Sequence, residues 1–536
     1  MKNIKQYLKR LWPVGLALVL VQGFSSCRKE LNYTPEVFAS AQSVYKDEPG
    51  AIAGVTGIYQ QLQSLKKSDY QLIGVIGTDE ARCCYQAQGY GAYWAGVVGM
   101  DVYDITFNSQ NADVTGFWTV CYQGIANANA AILNIPKIKN FADPTIQTRL
   151  VGEARFMRAV YYFYLVQLYG DVPMPLENTS LAAGLPRVPQ QQVYTQIEAD
   201  LTFAAANCWT KSKLTGNDVG RASVEAAKAL LGKVYLTVHD YNDAKTTFED
   251  LINNYNISLL ANYANLFDGQ HENNAESLFE IQYSTDNTND TQGLQNLYGS
   301  YAGPPIAFET FNTHTPGYGG TVVMATSYYS DSVFMKPFSW EYQYDARYVP
   351  SIHHDRYDGN GNTMSWWVDP GLPTIAKYDI SSTDIDVYHS GKNLYYLRSA
   401  DVFLMYSETL NELGQTQAAL APLNKIRERA FGNATLDFTA TDAPDQATMR
   451  DLILDERSRE LGAEGWRWFD LKRTGTLLTR VKRYDDPQRD FEKKNGTTTD
   501  PHPAQNVSAN NMLYPIPLTE LQNNPALGLK AQNPGY

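Results

Sequence analysis

Leu231-Gly232-Lys233-Val234-Tyr235, followed by Ala244-Lys245-Thr246-Thr247-Phe248, decides the fold of this chain. Each half sets a small residue and an aromatic on one helical face, Gly232 with Tyr235 and Ala244 with Phe248. The small residues let two antiparallel helices approach closely, and the aromatics fill the groove between them. His239-Asp240-Tyr241-Asn242-Asp243 supplies the turn. The same offset returns later in the chain, where Ser407 takes the small position and Ala419, Leu423 and Ile426 follow.

These are the L-G-x-x-Y and A-x-x-x-F elements of a tetratricopeptide repeat, and two copies predict a scaffold of stacked helix pairs. Working outward, the clearest single helix runs from Gln147 to Tyr169. Leu150, Ala154, Met157, Tyr161, Tyr164, Leu165 and Leu168 recur at spacings of three and four,. Phe156, Val160 and Phe163 form a second apolar stripe, so this helix is buried on two sides,. Gly170, Pro173 and Pro175 end it,.

Between about 265 and 395 the pattern changes: Gly, Asn, Thr and Tyr dominate, and helical periodicity fades. Leu278-Phe279-Glu280-Ile281-Gln282-Tyr283 reads as a short strand at the start of this region. Gly74 to Tyr103 is irregular in the same way. Long irregular insertions in a compact body are uncommon unless they serve a function, so these two regions are where a ligand is expected.

The N-terminus is a targeting segment. Lys2, Lys5, Lys9 and Arg10 form a positive region, and the apolar run from Leu11 to Val21 is too short to span a bilayer, which needs ~20 residues,. Phe24-Ser25-Ser26-Cys27 then resembles a lipobox, in which cleavage precedes the cysteine and the new N-terminal Cys27 is acylated. Multiple acyl chains hold a protein stably where one is marginal. The expected division is a signal peptide over 1–26, a lipidated tether over 27–42 and a single body over 43–536. Within the body, the helical scaffold occupies about 43–260 and 396–480, the loop-rich ligand lobe about 265–395, and a C-terminal segment 481–536.

The formal net charge of −13, from 44 basic and 57 acidic residues, argues against nucleic acid as a partner,. The 37 Tyr, 20 Phe and 9 Trp are the unusual component, suited both to a core and to flat surfaces that stack on sugar rings,. Of the cysteines beyond Cys27, adjacent Cys83-Cys84 has no metal-ligand spacing,. Cys121 and Cys208 read as buried thiols, and a disulfide between them is chemically admissible outside the cytoplasm.

Five ordered segments resemble the SusD/RagB family of surface nutrient-binding lipoproteins. They are Glu153-Ala154-Arg155-Phe156-Met157-Arg158-Ala159 running on to Leu168-Tyr169-Gly170-Asp171-Val172-Pro173, and Ala400-Asp401-Val402-Phe403-Leu404-Met405-Tyr406-Ser407-Glu408 with Leu423-Asn424-Lys425-Ile426-Arg427. Glu456-Arg457-Ser458-Arg459-Glu460-Leu461 with Gly465-Trp466-Arg467-Trp468-Phe469-Asp470-Leu471-Lys472-Arg473 follows. Leu513-Tyr514-Pro515-Ile516-Pro517 and Asn533-Pro534-Gly535-Tyr536 close the series. The resemblance implies a mostly α fold: about four tetratricopeptide-like helix pairs carrying a loop-rich lobe with short strands. It also implies an outer-membrane location and a SusC-like TonB-dependent β-barrel over which the protein sits as a lid. The ligand it implies is an oligosaccharide, or alternatively a peptide or other nutrient. It implies neither cofactor nor reaction.

Several motifs invite chemistry. Glu456 and Glu460 beside Trp466 and Trp468 suggest the paired carboxylates of a glycoside hydrolase, which face one bond ~5–9 Å apart,. One helical turn separates them, however, and the neighbouring arginines favour a structural ion-pair network. Asp358, Asn360, Asn362 and Asp369 imitate a calcium loop, but Thr363 occupies the position of the turn glycine, and a hairpin turn accounts for the run,. His353-His354 lacks a third ligand, so no metal site is expected,. Sugar recognition needs an aromatic platform with polar groups beside it. Tyr90, Tyr93 and Trp94 in the first irregular region, and Tyr298, Tyr301, Tyr318, Trp366 and Trp367 in the second, are the candidates for the platform. Asp79 and Arg82, with Glu80 between them, are the candidates for directed hydrogen bonds.

Overall fold

A computed structural model describes residues 41–65, 72–83, 95–177, 184–283, 323–333, 345–353, 373–378, 391–485 and 502–536. Its body is a stack of helices: α1 (Glu48–Leu65), α2 (Ala95–Val102), α3 (Ala112–Asn134), α4 (Pro144–Tyr169), α5 (Gln190–Asn207), α6 (Val224–Thr237) and α7 (Tyr241–Asn254). After the loop-rich region it continues with α8 (Ser399–Glu412), α9 (Thr416–Phe431), α10 (Gln446–Leu461), α11 (Arg467–Arg473) and α12 (Leu477–Arg483). Each long helix packs on the next, and α7 packs on α8, so the stack is continuous across the insertion. The fold is therefore mostly α, with tetratricopeptide-like pairing. No helix among the described residues is long and apolar enough to cross a membrane.

Gly232, Ala244 and Phe248 pack as the spacing predicts, whereas Tyr235 is only half-buried at the edge of the core. A β-carbon built on Gly232 of α6 would stand 2.4 Å from the Phe248 ring of α7, so only glycine permits this approach. Ala244 and Phe248 are fully buried. Ser223 caps α6 and Asp240 caps α7, each side chain accepting from a backbone N–H of the first turn,. In the α8–α9 pair, Ser407 Oγ donates to the Ala419 carbonyl at 2.8 Å.

Helix α4 is the axis of the body. It begins three residues ahead of Gln147, because Asp143 accepts from Thr145 N and Pro144 takes the first helical position,. Gly170, at φ 71°, ends it. Tyr161 reaches α1, donating to the Ile58 carbonyl at 2.7 Å, and its ring fills the space left by Gly124 of α3. Arg158 holds Asp200 of α5 through Nε at 2.8 Å and Nη2 at 2.7 Å, and donates to Asn129 of α3 at 2.8 Å. At the far end, Tyr514 N donates to the Leu168 carbonyl at 2.7 Å and Asn533 Nδ2 to the Tyr169 carbonyl at 3.0 Å. The last turn of α4, whose carbonyls lack partners within the helix, is thus satisfied by the C-terminal segment.

The strands are short and pair antiparallel: β1 (Ala81–Cys83) with β5 (Val323–Ala325), β2 (Val172–Pro173) with β3 (Arg187–Val188), β4 (Ser277–Ile281) with β8 (Leu394–Arg398), and β6 (Ile352–His353) with β7 (Thr374–Ile375). β4 overlaps the strand read at Leu278–Tyr283. Gly74–Tyr103 is less irregular than its composition suggests, because α2 forms there on buried Val97, Met100 and Val102. Cys121 and Cys208 are buried thiols.

Candidate functional site

The first irregular region enters through β1 and the second returns through β5. Their register is Ala81↔Ala325, Arg82↔Met324 and Cys83↔Val323. The chain therefore departs into 84–94 and arrives from 284–322 at the same end of one ribbon. Ala325 N donates to the Pro373 carbonyl at 3.3 Å, placing β7 beside β5. β6 and β7 pair as Ile352↔Ile375 and His353↔Thr374, so 354–372 also begins and ends at this cluster. Tyr90, Tyr93 and Trp94, Tyr298, Tyr301 and Tyr318, and Trp366 and Trp367 all lie outside the described residues, as do Cys27 and the calcium-like run at 358–369. The described flanks bring the ends of the three aromatic-bearing segments together.

Beneath this cluster lies a buried charge layer. Asp79 is fully buried and receives Arg467 Nε and Nη2, each at 2.7 Å. Glu80 is buried beside it, accepting from Ser458 Oγ and from Ala463 N, with Arg467 Nε at 3.4 Å. Burial pushes the Glu80 carboxyl up to about 7, against the pull of Arg467,. Arg82 is buried too, donating to the Cys83 carbonyl at 3.4 Å. Thr326, just after β5, donates from N to the Glu80 carbonyl at 2.9 Å and from its hydroxyl to the Asp79 carbonyl. Asp79 and Glu80 thus tie the ribbon to α10 and α11, and the Asp79 carboxylate is committed to Arg467.

A second layer fixes the loop-rich lobe to α10. Glu456 takes Arg347 at 2.7 Å, Arg427 at 2.9 Å and Arg459 at 2.9 Å. Glu460 takes Arg398 at 2.6 Å, with Arg429 and Arg347 also against it. Arg398 also holds Glu276 at 2.7 Å and Glu464 at 2.8 Å, and Lys377 meets Glu464 at 2.9 Å. Against the upward push of burial, the arginines hold Glu456 down to about 2 and Glu460 well below the usual carboxylate range, so both stay ionised. A hydrolase pair needs one protonated acid and an accessible cleft. These two carboxylates are fully buried and fully engaged, as the arginine-rich spacing suggested. Arg347, Lys377 and Arg398 went unmarked in the sequence, since isolated basic residues in irregular stretches carry no periodic signal. Among the described residues no cluster of His, Cys, Asp and Glu could hold a metal.

The sequence model described as the SusD family matches residues 256–536, and a second, described as "Starch-binding associating with outer membrane", matches 76–236. The chain is 28% identical to SusD-like protein P25 of Formosa agariphila, over 95% of this chain and 97% of that one. It is 24% identical to the starch-binding protein SusD of Bacteroides thetaiotaomicron, over 99% of both chains. Among solved structures, a laminarin-binding SusD-like protein superposes with a TM-score of 0.72 at 25% identity, covering 92% of this chain and 100% of that one. The fold is also shared with surface glycan-binding protein A from Bacteroides thetaiotaomicron in complex with laminarihexaose, with a TM-score of 0.71 at 17% identity over 91% of this chain and 99% of that one.

Proposed function

This chain belongs to the SusD family, and from that premise we propose that it is a non-catalytic surface protein that captures an oligosaccharide and delivers it to a SusC-like TonB-dependent outer-membrane transporter. Carbohydrate binding is supported by the starch-binding and laminarin-binding relatives. The outer-membrane location is supported by the description of the second family model. The lipobox-like Phe24-Ser25-Ser26-Cys27 supports attachment through an acylated Cys27.

The observation that carries the reading is the β1–β5 pairing. It starts and ends two aromatic-rich segments at one place, above a charge layer that cannot move without breaking buried ion pairs. Such a base preorganises whatever the loops present, reducing the ordering cost of binding. Stacking on Trp94 with Trp366 or Trp367 supplies the apolar contact, and paired hydrogen bonds must offset the desolvation of sugar hydroxyls. Affinity for a short glycan is then modest, with the transporter helping to retain it. The non-catalytic reading is supported by the engagement of Glu456 and Glu460 with arginines.

Calorimetric titration against glycan and peptide panels, with Trp94→Ala and Trp366→Ala beside the wild type, tests this. Glycan binding weakened by both substitutions is the expected result. Saturable binding of peptides alone, indifferent to both, overturns the sugar platform.

A further inference from the structure

A second cleft lies on the helical body, and its lining residues belong to α3, the β2 strand region, the 184–185 segment and the C-terminal segment. It encloses about 420 Å³, within the ~300–1,000 Å³ usual for small-molecule sites. Trp118 and Tyr122 stand one turn apart on α3, their ring centroids 4.9 Å apart and their planes tilted by 44°. The Tyr122 hydroxyl donates to the Pro173 carbonyl at 2.7 Å, which fixes the ring before anything binds. Pro173, Pro175 and Leu185 line the cleft with these rings. Gly184 keeps its place free of a side chain: at φ +67°, a β-carbon there would stand 2.0 Å from Asn524 Oδ1.

The polar groups of the cleft are few. Gln123 and Asn523 are exposed at it. Glu520 Oε1 accepts from Asn524 Nδ2 at 2.7 Å, leaving its second oxygen open among the described residues. Glu520 is the only charged side chain lining the cleft among the described residues. Trp118 is buried, 4% exposed, and backs the half-buried Tyr122. The fixed Tyr122 ring, apolar walls, one carboxylate acceptor and side-chain amides are the complement of a sugar ring with its hydroxyls. With a carboxylate and no cation, the same lining repels phosphate, sulfate and uronate groups.

The geometry points to a second carbohydrate site on the body, selective for neutral glycans. Its ligand class rests on the proposed function, while its place is independent of the loop-rich lobe. Two contacts on one chain raise the retention of a long polymer through effective concentration, without new affinity at either.

The test is calorimetry of the full mature chain against neutral hexose oligosaccharides, laminarihexaose among them, and against uronate and sulfated oligosaccharides of similar length. Ala126→Trp places an indole at an exposed position lining the cleft, and Glu520→Gln removes the charge with little change of shape. Thermal melting confirms that both variants fold. Ala126→Trp should abolish one of two binding events for a neutral glycan. Glu520→Gln should weaken that event about tenfold, the usual loss for a charge-assisted hydrogen bond. Neither should touch the event removed by Trp94→Ala and Trp366→Ala. Identical stoichiometry in the wild type and Ala126→Trp, a shared zero included, overturns the cleft. So does a preference for uronate or sulfated chains at it. Failure of the proposed function has a different signature, loop variants that bind as the wild type does.

Discussion

Gly232 of α6 faces the ring of Phe248 on α7 so closely that a β-carbon has no room, 2.4 Å from the nearest ring atom. Gly232→Leu must push the ring or the helix aside, and overpacking of this kind costs ~1–3 kcal/mol. Denaturant unfolding of the purified mature chain should show that loss in its midpoint. An unchanged midpoint would mean that the helices are not held at this contact.

Arg347, in the loop-rich lobe, bonds Asp345 and Glu456 while fully buried. Arg347→Ala leaves buried Asp345 without its cation and takes one of three arginines from Glu456, which keeps Arg427 and Arg459, and breaking a buried pair from one side costs ~3–5 kcal/mol. The variant should lose that much in chemical denaturation, with protease sensitivity rising in the lobe. A loss below about 1 kcal/mol, far under that range, would indicate that water has replaced the guanidinium.

Lys472 sits on α11 with the Gln167 carbonyl as hydrogen-bond acceptor and the Trp468 ring 5.4 Å away. Burial pulls its ammonium down to about 7. Below its ordinary value of roughly 10.4 the unfolded chain takes up a proton that the folded chain refuses until near pH 7,. Stability therefore rises with pH across that window on account of this group. Lys472→Met should remove the slope and be more stable than the wild type near pH 7. Equal slopes in the two proteins would show a charged Lys472 in the fold.

On the proposed anchoring, Cys27→Ala should abolish acylation and cleavage at the lipobox-like Phe24-Ser25-Ser26-Cys27. Fractionation is expected to find the variant released from the membrane or retained as an unprocessed precursor. A processed Cys27→Ala protein still in the membrane fraction would place the anchor elsewhere.

The helical body was legible because its signals are local. Gly232 with Ala244, and Ser407 with Ala419, lie twelve residues apart, within the reach of periodic reading. The ion-pair anchors were not. Arg398 and Glu460 are 62 residues apart, Arg347 and Glu456 are 109, and Asp79 and Arg467 are 388. Such pairs are made by the tertiary fold, so proximity in sequence drew Asp79 toward neighbouring aromatics while the fold gave it to Arg467. Trp118 and Tyr122 carried no mark either, since an aromatic pair one turn apart on a helix reads as ordinary core, and Trp118 is indeed buried while Tyr122 is half-buried at the cleft. The place where the irregular regions meet rests on the β1–β5 register, which no property of either three-residue strand announces.

The β4–β8 pair closes the insertion at its root. Ile281 faces Leu394, so more than a hundred residues leave and return side by side, at the ~5 Å spacing of paired strands. Between the points where Thr326, Arg347 and Lys377 bond the body, changes of length or composition leave the helices on either side with the same two ends at the same separation. Loop closure costs little more as a loop grows. Over evolutionary time the stretches between those anchors are therefore free to be lengthened, shortened or rewritten while the stack that carries them stays unchanged.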